Sequence, residues 1–145
     1  MPKFAANLSF IFQEIGFLDR FAAAAECGFK AVEYLSPFDH PPEIIAEQLN
    51  RHGLEQALFN MPPGDWAARE RGIGALPGRE QEFRDGVETA LVYARATRCR
   101  ILHAMAGGIA GWPGPGAGRA HLSRKFASRR RPACRRGHHP RHRAD

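Results

Sequence analysis

Residues 1–111 alternate between short apolar runs and longer amphipathic runs, and few folds are compatible with this alternation. Three junctions from an amphipathic run into an apolar run are alike: "CGFKAVEYL", "HGLEQALFN" and "TRCRILHAM". Apolar residues spaced three and four apart indicate a helix, whereas a short apolar run between Gly or polar residues is typical of a buried strand. The chain therefore repeats a unit of one helix and one strand.

The pattern predicts four strands and three helices. The strands are Lys3–Phe10, Phe29–Leu35, Leu54–Asn60 and Cys99–Met105. The helices are Gly16–Cys27, ending before Gly28, Pro41–Gly53 and Arg79–Arg98. The apolar faces are expected to consist of Leu18, Phe21, Ala22 and Ala25 in the first helix, Ile44, Ile45 and Leu49 in the second, and Phe83, Val87, Ala90, Leu91 and Ala94 in the third.

Repeated strand–helix units imply parallel strands joined by right-handed crossovers. The predicted class is α/β, and the pattern alone fits either half of a (β/α)8 barrel or a small open sheet. In both architectures the active site is built where the strands end. Polar side chains lie near the strand ends at Asn7, Glu33, Asn60 and His103. The alternatives are structural: a turn cap for Asn7, an ion pair for Glu33, and a structural hydrogen bond for His103.

The connection "FNMPPGDWAARERGIGALPGRE" is far longer than a usual strand-to-helix loop, and such loops tend to be functional or disordered. Trp66 argues against disorder. With Glu70 and Arg71 beside it, the segment suits a lid over a small anionic substrate, in which Arg71 pairs with a carboxylate. The alternative is a solvated surface loop with chance ion pairs.

The charge of the chain is unevenly distributed. The net charge is +6, but residues 112–145 hold ten Lys or Arg and one acid, whereas residues 1–111 hold eleven and fourteen. Three widely spaced cysteines, Cys27, Cys99 and Cys134, form neither a disulfide framework nor a zinc motif. With no signal-peptide pattern and no apolar run of membrane-spanning length, the expected location is cytoplasmic, without membrane association.

Residues 3–107 resemble the hydroxypyruvate isomerase family, within the xylose-isomerase-like TIM barrels. The resemblance is carried by "FAANLSFIFQE", "GFKAVEYLSPFDHPPEIIAEQLNRHGL", "LFNMPPGDWAARERGIGALPGREQEFR" and "ILHAMAG". It implies the N-terminal half of a (β/α)8 barrel, and an aldose–ketose type isomerisation of hydroxypyruvate and tartronate semialdehyde through an enediolate.

The resemblance also bears on site residues and cofactors. The family's acid/base and metal-binding carboxylates lie on later strands, beyond the matching segment, so no catalytic residue is assigned here. A divalent metal of the Mg or Mn type is expected in the full-length family, but is not expected to bind well to this chain. The expected substrate-binding residues for a small 2-oxo or hydroxy acid are Glu33, Asn60, Trp66, Glu70, Arg71 and His103.

Residues 112–145 are interpreted as a separate, disordered basic tail. Leu122 is their only large aliphatic residue, and Arg, Pro, Gly, Ala and His are abundant. We interpret this composition as an out-of-frame reading of a GC-rich gene, because a one-base shift of "RRGHHPRHRAD" can encode a strand ending in Glu. The 145-residue chain is then expected to lack activity alone and to self-associate through open sheet edges.

Two alternative readings of the tail remain. A charge of +9 would bind nucleic acid or anionic surfaces without sequence specificity. The histidines His138, His139 and His142 would chelate a metal only weakly, because nothing holds them in place.

Overall fold

The computed structural model describes residues 3–108 as a four-stranded parallel sheet packed against three α-helices. The strands are β1 (Ala6–Asn7), β2 (Ala31–Tyr34), β3 (Glu55–Asn60) and β4 (Leu102–His103), in the order β1-β2-β3-β4. The helices are α1 (Arg20–Glu26), α2 (Pro42–His52) and α3 (Glu80–Thr97). The predicted α/β class with four parallel strands and three helices is confirmed. The predicted tail, residues 112–145, lies outside the described residues.

The first strand, the last strand and the first helix are shorter than predicted, and β4 covers only Leu102–His103 of the predicted Cys99–Met105. The β1 ladder covers only Ala6–Asn7, because the Asn7 carboxamide oxygen accepts a hydrogen bond from the Ser9 amide at 3.0 Å and turns the chain. A 3₁₀ turn at Phe17–Asp19 then precedes α1, which begins at Arg20 rather than Gly16. By contrast, α2 and α3 lie within one residue of their predicted bounds.

The hydrophobic core lies between the sheet and the helices. Val32, Tyr34 and Phe59 on the strands are fully buried. Helix α1 contributes Phe21 and Ala24, whereas the predicted Ala22 and Ala25 are half-buried, since Phe21 and Ala24 face the sheet more directly. The remaining buried helical side chains are Ile45 and Leu49 on α2, and Phe83, Ala90, Ala94 and Thr97 on α3.

A bulge in β3 sets the direction of its last side chains. Val32 pairs with Gln56 and Glu33 pairs with Leu58, so Ala57 has no residue opposite it on β2. Bulges re-aim side chains at the ends of strands. Leu58 therefore lies on the same face of the sheet as Glu33, away from the helices.

Both outer edges of the sheet are free within the described part of the chain. β1 pairs only with β2, and β4 pairs only with β3. Within the described residues the sheet is therefore open and not closed into a barrel. No helix among residues 3–108 combines the length and apolar character needed to cross a bilayer.

Candidate active site

Four polar side chains lie at the carboxyl ends of the four strands and form two neighbouring pairs. The ladder places Asn7 beside Glu33 and Asn60 beside His103. All four lie on the face of the sheet opposite the helices, since their strand neighbours Ala6, Tyr34 and Phe59 are buried in the core. We call these four residues the mouth cluster.

The first pair is an amide that orients a carboxylate. The Asn7 side-chain amide donates to Glu33 Oε1 at 2.9 Å, while the Asn7 carboxamide oxygen is held by the Ser9 amide. The Ser9 hydroxyl in turn accepts from the Leu35 amide at 2.9 Å. One oxygen of Glu33 is thus fixed by Asn7, and the second is left to accept a hydrogen bond from a ligand.

The second pair fixes the tautomer of a histidine. Asn60 is buried, and its Oδ1 lies 3.0 Å from Nδ1 of His103, which is exposed. Because a carboxamide oxygen only accepts, Nδ1 of His103 must carry the proton. The lone pair of the neutral ring is then on Nε2.

The long loop after β3 is held in one shape by a charged network around Glu70. The Glu70 carboxylate binds the Arg79 guanidinium with both oxygens, at 2.8 and 3.1 Å, and accepts from the Asp65 amide at 2.6 Å. Arg79 also pairs with Glu82. The hydrogen bonds from Arg79 and then from Asp65 lower the pKa of Glu70 below its usual 4.5. Glu70 therefore joins the two ends of the loop.

Trp66 and Arg71 form an exposed stacked pair on the same loop. The Arg71 guanidinium carbon lies 3.4 Å from the centroid of the Trp66 ring, a cation–π contact. Nη1 of Arg71 donates to the carbonyl oxygens of Trp66 at 3.2 Å and Glu70 at 2.8 Å. Nε and Nη2 remain to bind an anion.

The loop continues onto the chain that follows β4. Gly72 forms an antiparallel bridge with Ala106, and the amides of Gly74 and Ala75 donate to the carbonyls of Met105 and Ala106 at 3.0 and 2.8 Å. The Met105 sulfur also contacts the Asn60 side-chain amide at 3.7 Å. Met105 thus contacts both the loop and the mouth cluster.

The predicted site residues fall into two groups. Glu33, Asn60 and His103 lie in the mouth cluster, whereas Trp66, Glu70 and Arg71 lie on the loop. Asn7 was recognised as a polar strand end, with a turn cap as the alternative, but it was not included among the expected substrate-binding residues. Sequence reasoning missed Arg79, whose pairing with Glu70 depends on the path of the loop.

The donor set of the mouth cluster does not by itself fit a divalent metal. Glu33 and His103 are its only carboxylate and imidazole groups, and the carboxamide oxygens of Asn7 and Asn60 are already hydrogen-bonded to Ser9 and His103. Residues 3–108 contain no cluster of three or more His, Cys, Asp or Glu with suitable geometry. These two groups alone do not complete the coordination shell of a divalent ion.

A cavity of about 600 Å³ lies at the other end of the sheet. Its lining includes Leu49, Leu54, Thr97 and Arg98, near the amino-terminal ends of β3 and β4. It is therefore separate from the mouth cluster.

Comparison with known proteins identifies the family. The family model described as "Xylose isomerase-like TIM barrel" matches residues 21–135. Over 107 residues the chain is 55% identical to the 2-oxo-tetronate isomerase of Cupriavidus necator, covering 74% of this chain and 41% of the relative. It is 50% identical to the hydroxypyruvate isomerase of Escherichia coli, covering 74% and 42%. A human protein named putative hydroxypyruvate isomerase is 44% identical, covering 74% and 39%.

A solved structure is also similar to this chain in fold and in sequence. A crystal structure named as an AP endonuclease, family 2, from Brucella melitensis superposes with a TM-score of 0.82 at 55% identity, covering 87% of this chain and 48% of the other. The chain spans about two fifths of the length of the curated relatives that it matches. Three findings agree: the four parallel strands follow in sequential order, polar side chains lie at their ends, and the family model matches most of the chain. The chain therefore belongs to the xylose isomerase-like TIM barrel family.

Proposed function

We propose that this chain supplies the substrate-binding half of an isomerase for a small 2-oxo acid. The observation that carries the proposal is the mouth cluster, with hydrogen-bonding groups fixed at the carboxyl ends of four barrel strands. The names of the curated relatives support hydroxypyruvate or 2-oxo-tetronate as the substrate.

The proposed reaction moves one proton between adjacent carbons. For hydroxypyruvate, a base removes a proton from C3, and the electron pair passes through a C2–C3 enediolate onto the C2 oxygen. A second proton moves from the C3 hydroxyl to the C2 oxygen, and return of the first proton to C2, with C3 becoming the aldehyde, gives tartronate semialdehyde. Atoms and electrons balance without an oxidant, so the protein must supply proton transfer and stabilisation of negative charge.

The described residues suit binding and orientation. Arg71 offers the free edge of its guanidinium, including Nε and Nη2, to the substrate carboxylate, because only its Nη1 is used within the loop. Glu33 and the Nε2 lone pair of His103 accept hydrogen bonds from substrate hydroxyl groups. Among the described residues, neither Glu33 nor His103 is hydrogen-bonded to a second carboxylate that could take part in proton transfer. We therefore propose that the proton-transferring groups come from the other half of the barrel, and that the 145-residue chain alone has no isomerase activity.

A chimera tests this division of roles. Residues 3–108 would replace the matching segment of the C. necator 2-oxo-tetronate isomerase, and turnover of hydroxypyruvate and 2-oxo-tetronate would be measured beside the 145-residue chain. We expect turnover by the chimera and none by the chain alone. Turnover by the purified chain, above an empty-vector control, would refute the proposal.

Variants of the chimera test the assigned roles. Arg71→Lys removes the guanidinium fork and is expected to lower kcat/KM by roughly tenfold or more, mainly through KM. The matched control is Arg95→Lys, an exposed position of α3, which should leave both constants unchanged. Equal effects of the two variants would exclude Arg71 as the carboxylate-binding residue.

A further inference from the structure

Arg20 places a positive charge at the end of a helix that does not favour one. It is the first residue of α1, where the free amide groups of the helix already carry partial positive charge. Helical side chains lean towards the amino terminus of their helix, so Arg20 can reach the connection from β1 to α1. Its Nη1 donates to the Leu8 carbonyl at 2.8 Å, and its Nε donates to the Ile15 carbonyl at 3.1 Å. Arg20 therefore holds both ends of this connection.

The carbonyl that Arg20 contacts belongs to a peptide group that also contacts the mouth cluster. The Leu8–Ser9 peptide is trans, so its carbonyl and its amide point in opposite directions. The carbonyl accepts from Arg20, and the amide donates to Asn7 Oδ1 at 3.0 Å. The Asn7 side-chain amide donates in turn to Glu33 Oε1 at 2.9 Å. Two amide groups, one peptide and one carboxamide, thus link a guanidinium to a carboxylate. We call these two groups the amide relay.

Opposite charges at its two ends strengthen the hydrogen bonds of the amide relay. A guanidinium is charged at neutral pH, and a hydrogen bond from a charged donor is roughly twice as strong as one from a neutral donor. A hydrogen bond accepted at the oxygen of an amide makes its N–H a stronger donor, so the effect passes through both amide groups. Among the described side chains, Asn7 alone donates to the Glu33 carboxylate. The orientation of Glu33 therefore depends on the relay.

We propose that Arg20 is a positioning residue of the candidate active site, which orients and polarises the Glu33 carboxylate through the amide relay. The proposal rests on the proposed function, because it takes Glu33 as the group that accepts a hydrogen bond from a substrate hydroxyl. In the competing interpretation Arg20 only fixes the connection after β1, and its charge has no influence on Glu33.

Nuclear magnetic resonance of the full 145-residue chain separates the two interpretations without any turnover. Arg20→Lys keeps a cation, whereas Arg20→Gln keeps an N–H donor and loses the charge. We expect Arg20→Gln to move the signals of the Ser9 amide proton and the Asn7 side-chain amide proton upfield, because both hydrogen bonds weaken. Arg20→Lys should move both signals less. Shifts at least as large in Arg20→Lys as in Arg20→Gln, or no shift in either variant, overturn the proposal.

The matched control is a second arginine that donates to a backbone carbonyl. Arg84 is exposed on α3, and its Nε donates to the Glu80 carbonyl at 3.3 Å. Arg84→Gln removes the same charge from the chain and should leave the Ser9 and Asn7 signals in place. Equal shifts in Arg84→Gln and Arg20→Gln would assign the effect to the net charge of the chain and overturn the proposal.

A variant at the other end of the amide relay decides the question if circular dichroism shows that Arg20→Gln does not fold. Glu33→Gln removes the negative charge and leaves Arg20 in place. The Ser9 amide signal should move upfield, because the Asn7 carboxamide is then less polarised. Glu55→Gln, at an exposed position at the start of β3, is the control and should not move it. An unmoved Ser9 signal in Glu33→Gln overturns the proposal.

A double-mutant cycle in the chimera with the C. necator enzyme measures the consequence for turnover. Arg20→Gln should lower kcat/KM by roughly threefold to tenfold, the size of one net hydrogen bond. In a Glu33→Gln background it should cause no further loss, because the effects of residues that act through one contact are not additive. The same loss in both backgrounds overturns the proposal. A chimera without turnover would count against the proposed function alone, since the resonance shifts decide independently on Arg20.

Discussion

Two core tyrosines differ in what their hydroxyl groups contact. Tyr34 on β2 is buried among aromatic rings, with Phe17 at 5.2 Å and Phe21 at 6.0 Å between ring centroids, and its hydroxyl has no hydrogen-bond partner among the described residues. Burial raises the pKa of Tyr34 above its ordinary value. The Tyr93 hydroxyl on α3 donates to the His40 carbonyl at 2.8 Å.

The two tyrosines should respond differently to loss of the hydroxyl. We expect Tyr34→Phe to be neutral or to stabilise the fold by up to about 1 kcal/mol, because it removes a buried polar group that has no partner. Tyr93→Phe should destabilise the fold by about 1 kcal/mol, because it removes a hydrogen bond. Urea denaturation followed by circular dichroism measures both. Destabilisation by Tyr34→Phe as large as that by Tyr93→Phe would contradict the interpretation.

The lowered pKa of Glu70 makes the loop sensitive to acid. Arg79, the larger cause, and the Asp65 amide both favour the carboxylate form. An acidic group whose pKa is lower in the ordered loop than in the disordered loop stabilises the ordered loop at pH values above the ordinary pKa of that group. That stabilisation is lost as the pH falls below the ordinary value and through the lowered one. The loop should therefore open in acid.

Trp66 reports this transition. In a Trp112→Phe background Trp66 is the only tryptophan. Its emission should change as the pH falls below the ordinary pKa of a Glu side chain and through the lowered pKa of Glu70, where protonation of Glu70 releases Arg79. Glu70→Gln should show the loosened emission already at neutral pH and no such transition. The control Glu47→Gln breaks the exposed pair with Arg51 on α2 and should leave the Trp66 titration unchanged. An identical titration in Glu70→Gln would assign the change to another carboxyl group.

At the scale of elements, docking of the loop on the chain after β4 depends on Gly72. This residue has φ +111°, and a Cβ there would overlap the Met105 carbonyl oxygen. A side chain at Gly72 is therefore opposed both by its own backbone conformation and by the backbone of Met105. A second glycine, Gly86 in the interior of α3, has no such close contact. At Gly86 a Cβ would meet only Pro62 carbons, at 3.6 Å and beyond.

The same substitution should have opposite effects at the two glycines. Gly72→Ala should destabilise the docked loop by about 2 kcal/mol. Hydrogen exchange of the Gly74 and Ala75 amides should then be faster, because their acceptors Met105 and Ala106 separate from the loop. Gly86→Ala should stabilise the fold by about 0.5–1 kcal/mol, because alanine loses less backbone entropy in a helix. Unchanged exchange of Gly74 and Ala75 in Gly72→Ala would contradict the role of Gly72.

The accuracy of the sequence predictions follows from how local each signal is. The bounds of α2 and α3 depend on periodicity and end residues within the segment, and both were predicted closely. The length of β1 depends on the hydrogen bond between Asn7 and Ser9, and the bulge at Ala57 depends on pairing with β2. Neither is visible in apolar patterning. Polar strand ends were predicted, but the Asn60–His103 pair requires knowledge of the strand order.

At the scale of the whole molecule, the charge separates the barrel segment from the rest of the chain. Residues 1–111 have a net charge of −3 and contain the mouth cluster and the loop, whereas residues 112–145 have a net charge of +9. The basic character of the chain is therefore unrelated to the candidate active site. Attraction to polyanions should follow the second segment alone.

Electrophoretic mobility shift on a DNA duplex of arbitrary sequence tests this separation. The 145-residue chain should retard the duplex at about 50 mM salt. The complex should dissociate by about 200 mM salt, because binding through phosphate contacts releases counterions. Two duplexes of unrelated sequence should bind equally. A chain ending at Gly111 should bind neither, since its net charge is negative. Retention at moderate salt, or preference for one duplex, would instead show a specific nucleic-acid site. Binding by the shortened chain would place the contact in the barrel segment.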